Sequence, residues 1–160
     1  LPPKGKVGDR SLFFVSNKTI FDFAETALSE SGMVVLAVKI LVVEDHADSL
    51  EVLAIQLRLM GYEVIEAMSG QEGIEKARVH LPAAVIMDLG LPDMDGIEAT
   101  EKLKQNPQTA HIPVIAHTAW SEETYRSRAE RAGISEFLTK PTPLHRFKST
   151  IEKSLKLRAN

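Results

Sequence analysis

From Lys39 onward, short apolar runs alternate with longer stretches in which apolar residues recur every three or four positions. The runs at 39–43, 83–87 and 112–116 are continuous enough to be strands buried on both faces, and 62–66 and 137–138 read as two shorter strands. Between them, residues 48–60 carry Leu50, Leu53, Ala54, Leu57 and Met60 at helical spacing, with Gly61 as a stop. A second helix begins at Ser69 and runs through Ile74 and Ala77. A third covers 97–103 and ends at Asn106-Pro107, and a fourth covers 122–131 with Gly133 as its cap. Leu144, Phe147, Ile151 and Leu155 form the apolar stripe of a last helix. Five strands alternating with five helices predict an α/β domain, with a parallel sheet covered on both faces and right-handed connections.

Residues 1–38 break this alternation. They hold Phe13, Phe14, Phe21 and Phe23, and Ile20, Phe23, Ala24, Ala27 and Leu28 line up as a helical apolar face bounded by Gly32. That composition is not that of a flexible linker. Residues 1–37 are therefore an N-terminal extension, read as the remnant of an upstream module, an over-extended start or a docking helix. The main domain is expected at 38–156, with a short tail at 157–160.

Composition narrows the function classes. The chain has 160 residues, enough for one domain with some excess, and its 44% hydrophobic and 26% charged content is ordinary for a globular protein. It has no cysteine, which excludes disulfides, thiolate metal sites and thiol nucleophiles and fits a reducing cytosol. The apolar stretch 33–43 is broken by Lys39 and too short to span a bilayer. No basic tract accompanies the net charge of −3, so neither nucleic acid nor a membrane is expected as a direct partner. Residues 1–38 are neutral, and the negative excess belongs to the main domain.

The chemistry-bearing residues fall at strand ends. Glu44-Asp45 follows the first run, Asp88 the run at 83–87, Thr118 the run at 112–116, and Lys140-Pro141 the run at 137–138. Three acids, a hydroxyl and an ammonium at the mouth of one sheet can hold a divalent cation and a phosphoryl group. Each has a plainer reading alone: acids favour a helix start, and a lone lysine is usually a solvated charge. Pro141, however, keeps Lys140 out of helical conformation. Asp93 and Asp95 read as turn and helix-start residues ahead of Ile97. His46, His80, His111, His117 and His145 show no metal-ligand spacing, and His117 is expected to pack or lie half exposed.

Taken in order, Glu44-Asp45, Asp88 with its Leu91-Pro92 and Met94-Asp95-Gly96 continuation, Thr118-Ala119 and Lys140-Pro141 resemble the receiver domain of bacterial response regulators, over about residues 38–156. The resemblance implies a doubly wound five-stranded parallel sheet of flavodoxin-like order 2-1-3-4-5, with Glu44, Asp45 and Asp88 at the point where strand order reverses. It implies Asp88 as the phospho-acceptor and a Mg2+ ion held by Asp45, Asp88 and the Gly90 main-chain carbonyl, with Glu44 acting through a bound water. Thr118, Ala119 and Lys140 would bind the phosphoryl group, the 140–141 peptide would be cis, and Thr118 with Phe137 would form the switch.

The implied function is phosphorelay signalling in the cytoplasm. A histidine kinase or phosphotransfer protein would be the donor, and the chain would catalyse nothing beyond its own phosphorylation and dephosphorylation. A downstream protein would meet the helix 122–131, the strand before Lys140 and the last helix, a face carrying Arg126, Arg128, Arg131, Arg146 and Lys148. A phosphorylation-dependent dimer stays open. No output module is expected after the last helix, which suits a stand-alone receiver; the alternative is the C-terminal receiver of a hybrid histidine kinase. An enzyme or cofactor binder on this fold would need a glycine-rich phosphate loop after Val43, where Glu44-Asp45-His46 stands instead. Two positions depart from the usual pattern. Gly90 has no side chain to orient a hydrolytic water, and Trp120, two after Thr118, is bulky. Both bear on how long a phosphoryl group survives. An indole over the site would shield it, and an indole in solvent would leave a channel open.

Overall fold

The computed structural model describes residues 27–28 and 34–159, and the chain divides into two units, Leu1–Leu36 and Ala37–Asn160. In the first unit, β1 (Ala27–Leu28) pairs antiparallel with β2 (Val34–Val35). Ala27 and Leu28 are therefore not on the helical face expected of them; the rest of that expected face, Ile20 to Ala24, lies outside the described residues. β-branched Val34-Val35 offers a strand partner that helical periodicity does not register.

In the second unit five strands alternate with five helices among the described residues. They are β3 (Lys39–Val43), α1 (Ala47–Leu59), β4 (Glu63–Ala67), α2 (Gly70–His80), β5 (Ala84–Met87), α3 (Gly96–Gln105), β6 (Val114–Thr118), α4 (Glu122–Ala132), β7 (Ile134–Thr139) and α5 (Leu144–Ala159). The sheet is parallel throughout, in the order β4-β3-β5-β6-β7. Counted from β3, that is the expected 2-1-3-4-5, with the reversal between β3 and β5.

Successive side chains of a strand point to opposite faces, so each central strand feeds two cores. Leu41, Val43, Val85, Met87, Val114 and Ala116 pack with Ala77 of α2, Ile97 and Leu103 of α3, and Ala129 and Ala132 of α4. Ile40, Val42, Ile86 and Ile115 pack on the other face with Leu50, Leu53 and Leu57 of α1 and Phe147 and Ile151 of α5. Each fully buried Leu or Ile is worth about 1.5–3 kcal/mol of removed apolar surface. Leu144, expected in the α5 stripe, is 53% exposed. It is the first residue of the helix, ahead of the turns whose Phe147 and Ile151 reach the sheet.

Helix boundaries follow local chemistry. The Ser69 hydroxyl accepts from the Glu72 amide and Asp95 accepts from the Glu98 amide, so both are side-chain N-caps. Gly133 ends α4 at φ 95°, a left-handed position where a Cβ would be strained. Gly96 is constrained by space: a Cβ there would sit 2.2 Å from the Asp88 carbonyl oxygen. Only glycine lets the start of α3 lie against the loop that follows β5.

Candidate functional site at the carboxyl ends of the strands

Parallel register brings the strand ends level, with Val43 opposite Met87 and Thr118 opposite Thr139. Backbone bonds carry the ladder one residue further. The Asp88 amide donates to Val43 O at 2.9 Å, the Glu44 amide to Ala67 O at 3.0 Å, and the Lys140 amide to Thr118 O at 2.8 Å. The residues carrying the chemistry are thus held by the sheet itself, although their side chains stand beyond it.

Lys140 bridges the acids. Its Nζ donates to Asp88 Oδ2 at 3.0 Å and makes a closer ion pair with Glu44 Oε2. Glu44 is only 2% exposed and Asp88 8%, so one ammonium serves two largely buried carboxylates. Burial by itself would raise the Asp88 pKa. The Gly90 amide, the Lys140 ammonium and the Thr118 hydroxyl outweigh it and hold the carboxyl below its usual range. For Lys140 burial works towards a lower pKa, and the two carboxylates reverse it, leaving the ammonium more firmly protonated than usual. The Lys140–Pro141 peptide is cis.

The Gly90 amide donates to Asp88 Oδ1 at 3.1 Å, and the Trp120 amide donates to the fully buried Thr118 hydroxyl at 3.2 Å. Ala119, between Thr118 and Trp120, is exposed. The indole of Trp120 lies over Gly90. A Cβ on Gly90 would be 3.4 Å from Trp120 Nε1 and 4.0 Å from Asp88 Oδ1. The ring is held there by Tyr125, with centroids 4.6 Å apart.

Asp45 beside them is half-buried, and its Oδ1 is buried without a hydrogen-bond partner. Such an oxygen, next to two further acids, suits a hard divalent cation that takes carboxylate ligands. Glu44, Asp45 and His46 place ligand atoms within 4.8 Å of one another. The sequence offered no metal role for His46, because adjacent residues show no helical or strand ligand spacing.

A model of the response regulator receiver domain matches residues 40–152. The chain belongs to the response-regulator receiver family. It is 34% identical over 116 residues to the polar-differentiation response regulator DivK of Brucella ovis, covering 72% of this chain and 94% of that protein. Among solved structures it resembles a CheY-like receiver domain protein of Methanospirillum hungatei, at 25% identity and a TM-score of 0.72 over 77% of this chain and 97% of that one. It also resembles the receiver domain of a sensor histidine kinase of Pseudomonas aeruginosa, solved with a magnesium ion coordinated in its active-site cleft. That similarity has 27% identity and a TM-score of 0.70, over 76% of this chain and 99% of the other.

Several features of this receiver were not legible beforehand. Asp93 does more than shape its own turn: its oxygens accept from the Gly70 and Gln71 amides, both at 2.8 Å, and so cap α2 from the loop after β5. On α1, Val52, Ile55 and Leu59 form an exposed apolar stripe at helical spacing. Val52 borders a groove that runs to Glu44, Lys140, Pro141 and Phe147. Phe137 is separate from the acidic cluster. It is half-buried in the α4-side core and lines a cavity of about 230 Å3 with Arg126, Ala129, Ile134 and Arg146. Among the described residues no helix is long and apolar enough to cross a membrane.

His117 is half-buried, with its ring tilted against Phe147 at 5.3 Å between centroids. Burial, helped by the Lys140 charge and opposed by Asp88 and Glu44, pushes its pKa from 6.5 down to about 4. Between those values the unfolded chain binds the proton that the folded one rejects, so stability falls as pH drops from 6.5 to about 4 and is unaffected by this group above 6.5. The lowered Asp88 pKa acts only below its ordinary value of 3.8, outside that window. Urea unfolding at several pH values is expected to show this loss in the wild type and a smaller one in His117→Gln. An identical slope in both proteins would place the sensitivity elsewhere.

Proposed function

We propose that this receiver takes a phosphoryl group onto Asp88 from a histidine kinase or phosphotransfer protein and signals through the change that follows. The observation that carries the reading is Asp88 itself: an ionised carboxylate at the end of β5, 3.0 Å from the Lys140 ammonium and beside the Thr118 hydroxyl. A carboxylate oxygen attacks phosphorus, the bond from phosphorus to the donor's imidazole nitrogen breaks, and an acyl phosphate forms on Asp88. Lys140 then pairs with a phosphoryl oxygen, while the Thr118 hydroxyl and the Ala119 amide donate to the others. With Asp45, Asp88 and the Gly90 carbonyl as ligands and Glu44 acting through a water, a magnesium ion would neutralise charge on the transferring group. The chain performs no other catalysis in this reading. Its place is the cytoplasm, where the kinase makes its phosphohistidine.

The donor would dock on the apolar stripe of α1, whose adjoining groove leads to Lys140. The downstream partner would use α4, β7 and α5, with Thr118 and Phe137 coupling the site to that face. The same site serves a second reading, the C-terminal receiver of a hybrid histidine kinase; the Pseudomonas aeruginosa structure is a receiver domain of a sensor histidine kinase. The complete open reading frame decides between the two.

The direct test is incubation of the full chain with a small acyl phosphate, with and without Mg2+. A mass gain of one phosphoryl group that needs Mg2+ and is released by hydroxylamine supports an acyl phosphate. A hydroxylamine-stable adduct would mean a serine or threonine ester and would defeat the reading.

The output face is less purely basic than its composition suggests. Arg126 pairs with Glu130 at 3.0 Å, Arg128 with Asp95 at 3.1 Å and Lys148 with Glu152 at 3.9 Å. Exposed pairs of this kind contribute about 0–1 kcal/mol, so reversing them leaves the fold intact. Arg126→Glu with Arg131→Glu is expected to weaken partner capture and remove its salt sensitivity, as read by binding at two ionic strengths. Unchanged capture would move the interface off α4.

A further inference from the structure

We propose that His46 supplies an imidazole ligand beside Glu44 and Asp45, so that this receiver's cation site favours first-row transition ions over Mg2+. The inference rests on the metal site of the preceding section and adds the class of ion it prefers. His46 is the N-cap residue of α1, yet its side chain makes no capping bond. Oxygen-bearing side chains normally fill that position because they accept from the helix amides. Here the ring turns to the acids instead, with Nδ1 3.2 Å from Asp45 Oδ1 and 3.3 Å from Glu44 Oε1.

Two ligand atoms, each about 2.1 Å from an ion and at right angles to one another, are about 3.0 Å apart. The spacing from Nδ1 to Asp45 Oδ1 therefore suits neighbouring positions on one ion, with Glu44 acting on that ion through a water. Asp45 Oδ1 is buried and accepts no hydrogen bond, so a cation would satisfy an atom the protein does not. The His46 amide donates to Glu44 Oε1 at 3.1 Å and fixes the backbone that carries the ring. The ring is 76% exposed, which leaves it reachable by a hydrated ion. Mg2+ takes oxygen ligands and gains little from imidazole, whereas Mn2+ and above all Zn2+ accept nitrogen readily. In the plainer arrangement, Nδ1–H donates to a carboxylate and His46 has no say in which ion binds.

Calorimetric titration of the full chain with MgCl2 and with ZnCl2 separates these. Wild type, His46→Ala and His80→Ala are compared, the last as a control for zinc on surface histidines. The expected result is a loss of about tenfold or more in Zn2+ affinity for His46→Ala alone, with Mg2+ affinity changed by less than about twofold. Pulsed electron paramagnetic resonance of bound Mn2+ is expected to show nitrogen coupling in the wild type and none in His46→Ala. Unchanged Zn2+ affinity in His46→Ala, or equal losses for both ions, would overturn the inference while the magnesium site stands. A wild type that binds neither ion would overturn both.

Discussion

Asp88→Asn is expected to take up no phosphoryl group under conditions that load the wild type. The amide is nearly the same shape, and its oxygen can still accept from the Gly90 amide. It is not a nucleophile toward phosphorus, and no other described carboxylate shares its position between Lys140 and Thr118. The fold should survive. Lys140 keeps Glu44 as its ion partner, and the lost contact is one charge-assisted hydrogen bond, worth about 1.5–3 kcal/mol at most. Intact-mass spectrometry of both proteins after treatment with the acyl phosphate reads the result, with circular dichroism as the check on folding. Equal incorporation in the two would remove Asp88 as the acceptor.

The second large effect concerns how long the phosphoryl group stays. Hydrolysis requires a water in line with the bond that breaks, and the space over Gly90 is where the protein could admit or position one. The Trp120 indole packs beside Gly90 and against Tyr125, the placement that a shield over that space requires. Gly90 contributes no side chain that could orient a water. Trp120→Glu opens the cover and brings in a carboxylate that can orient water. Its phosphorylated form is expected to decay roughly tenfold faster or more, less than the roughly hundredfold or greater contribution of a well-positioned base. Trp120→Phe keeps an aromatic cover and is expected to decay much nearer the wild-type rate, which separates shielding from general loosening of α4. Decay is followed by intact mass after removal of the donor. Equal or slower decay in Trp120→Glu would refute the shield and leave Asp88 untouched as acceptor. Trp120 is the only tryptophan in the chain, so its emission also reports binding at the site.

Periodicity alone was enough to locate the five strands of the sheet and the helices between them. Burial on both faces writes continuous apolar runs, and burial on one face of a helix writes a repeat of three to four residues. The acidic pair, Asp88, Thr118 and Lys140 were visible for the same reason, since each sits within two residues of the end of a recognisable strand. Where periodicity was weak the sequence misled. Ala27 and Leu28 pair as a strand and Leu144 faces solvent, because two residues or a helix's first turn carry too little pattern to separate the alternatives.

What only the tertiary structure decided is which side chains meet. Lys140 reaches Glu44 across 96 positions, and Asp93 caps a helix that begins 23 residues earlier. The Trp120 indole settles over Gly90, and the His46 ring turns from its helix toward Asp45. None of these follows from local propensity. They depend on the parallel register that levels the strand ends and on the crossovers that stack α2 and α4 beside the loop after β5. A sequence records the period of burial along one segment, whereas a site is made where segments distant in the chain are brought to the same edge.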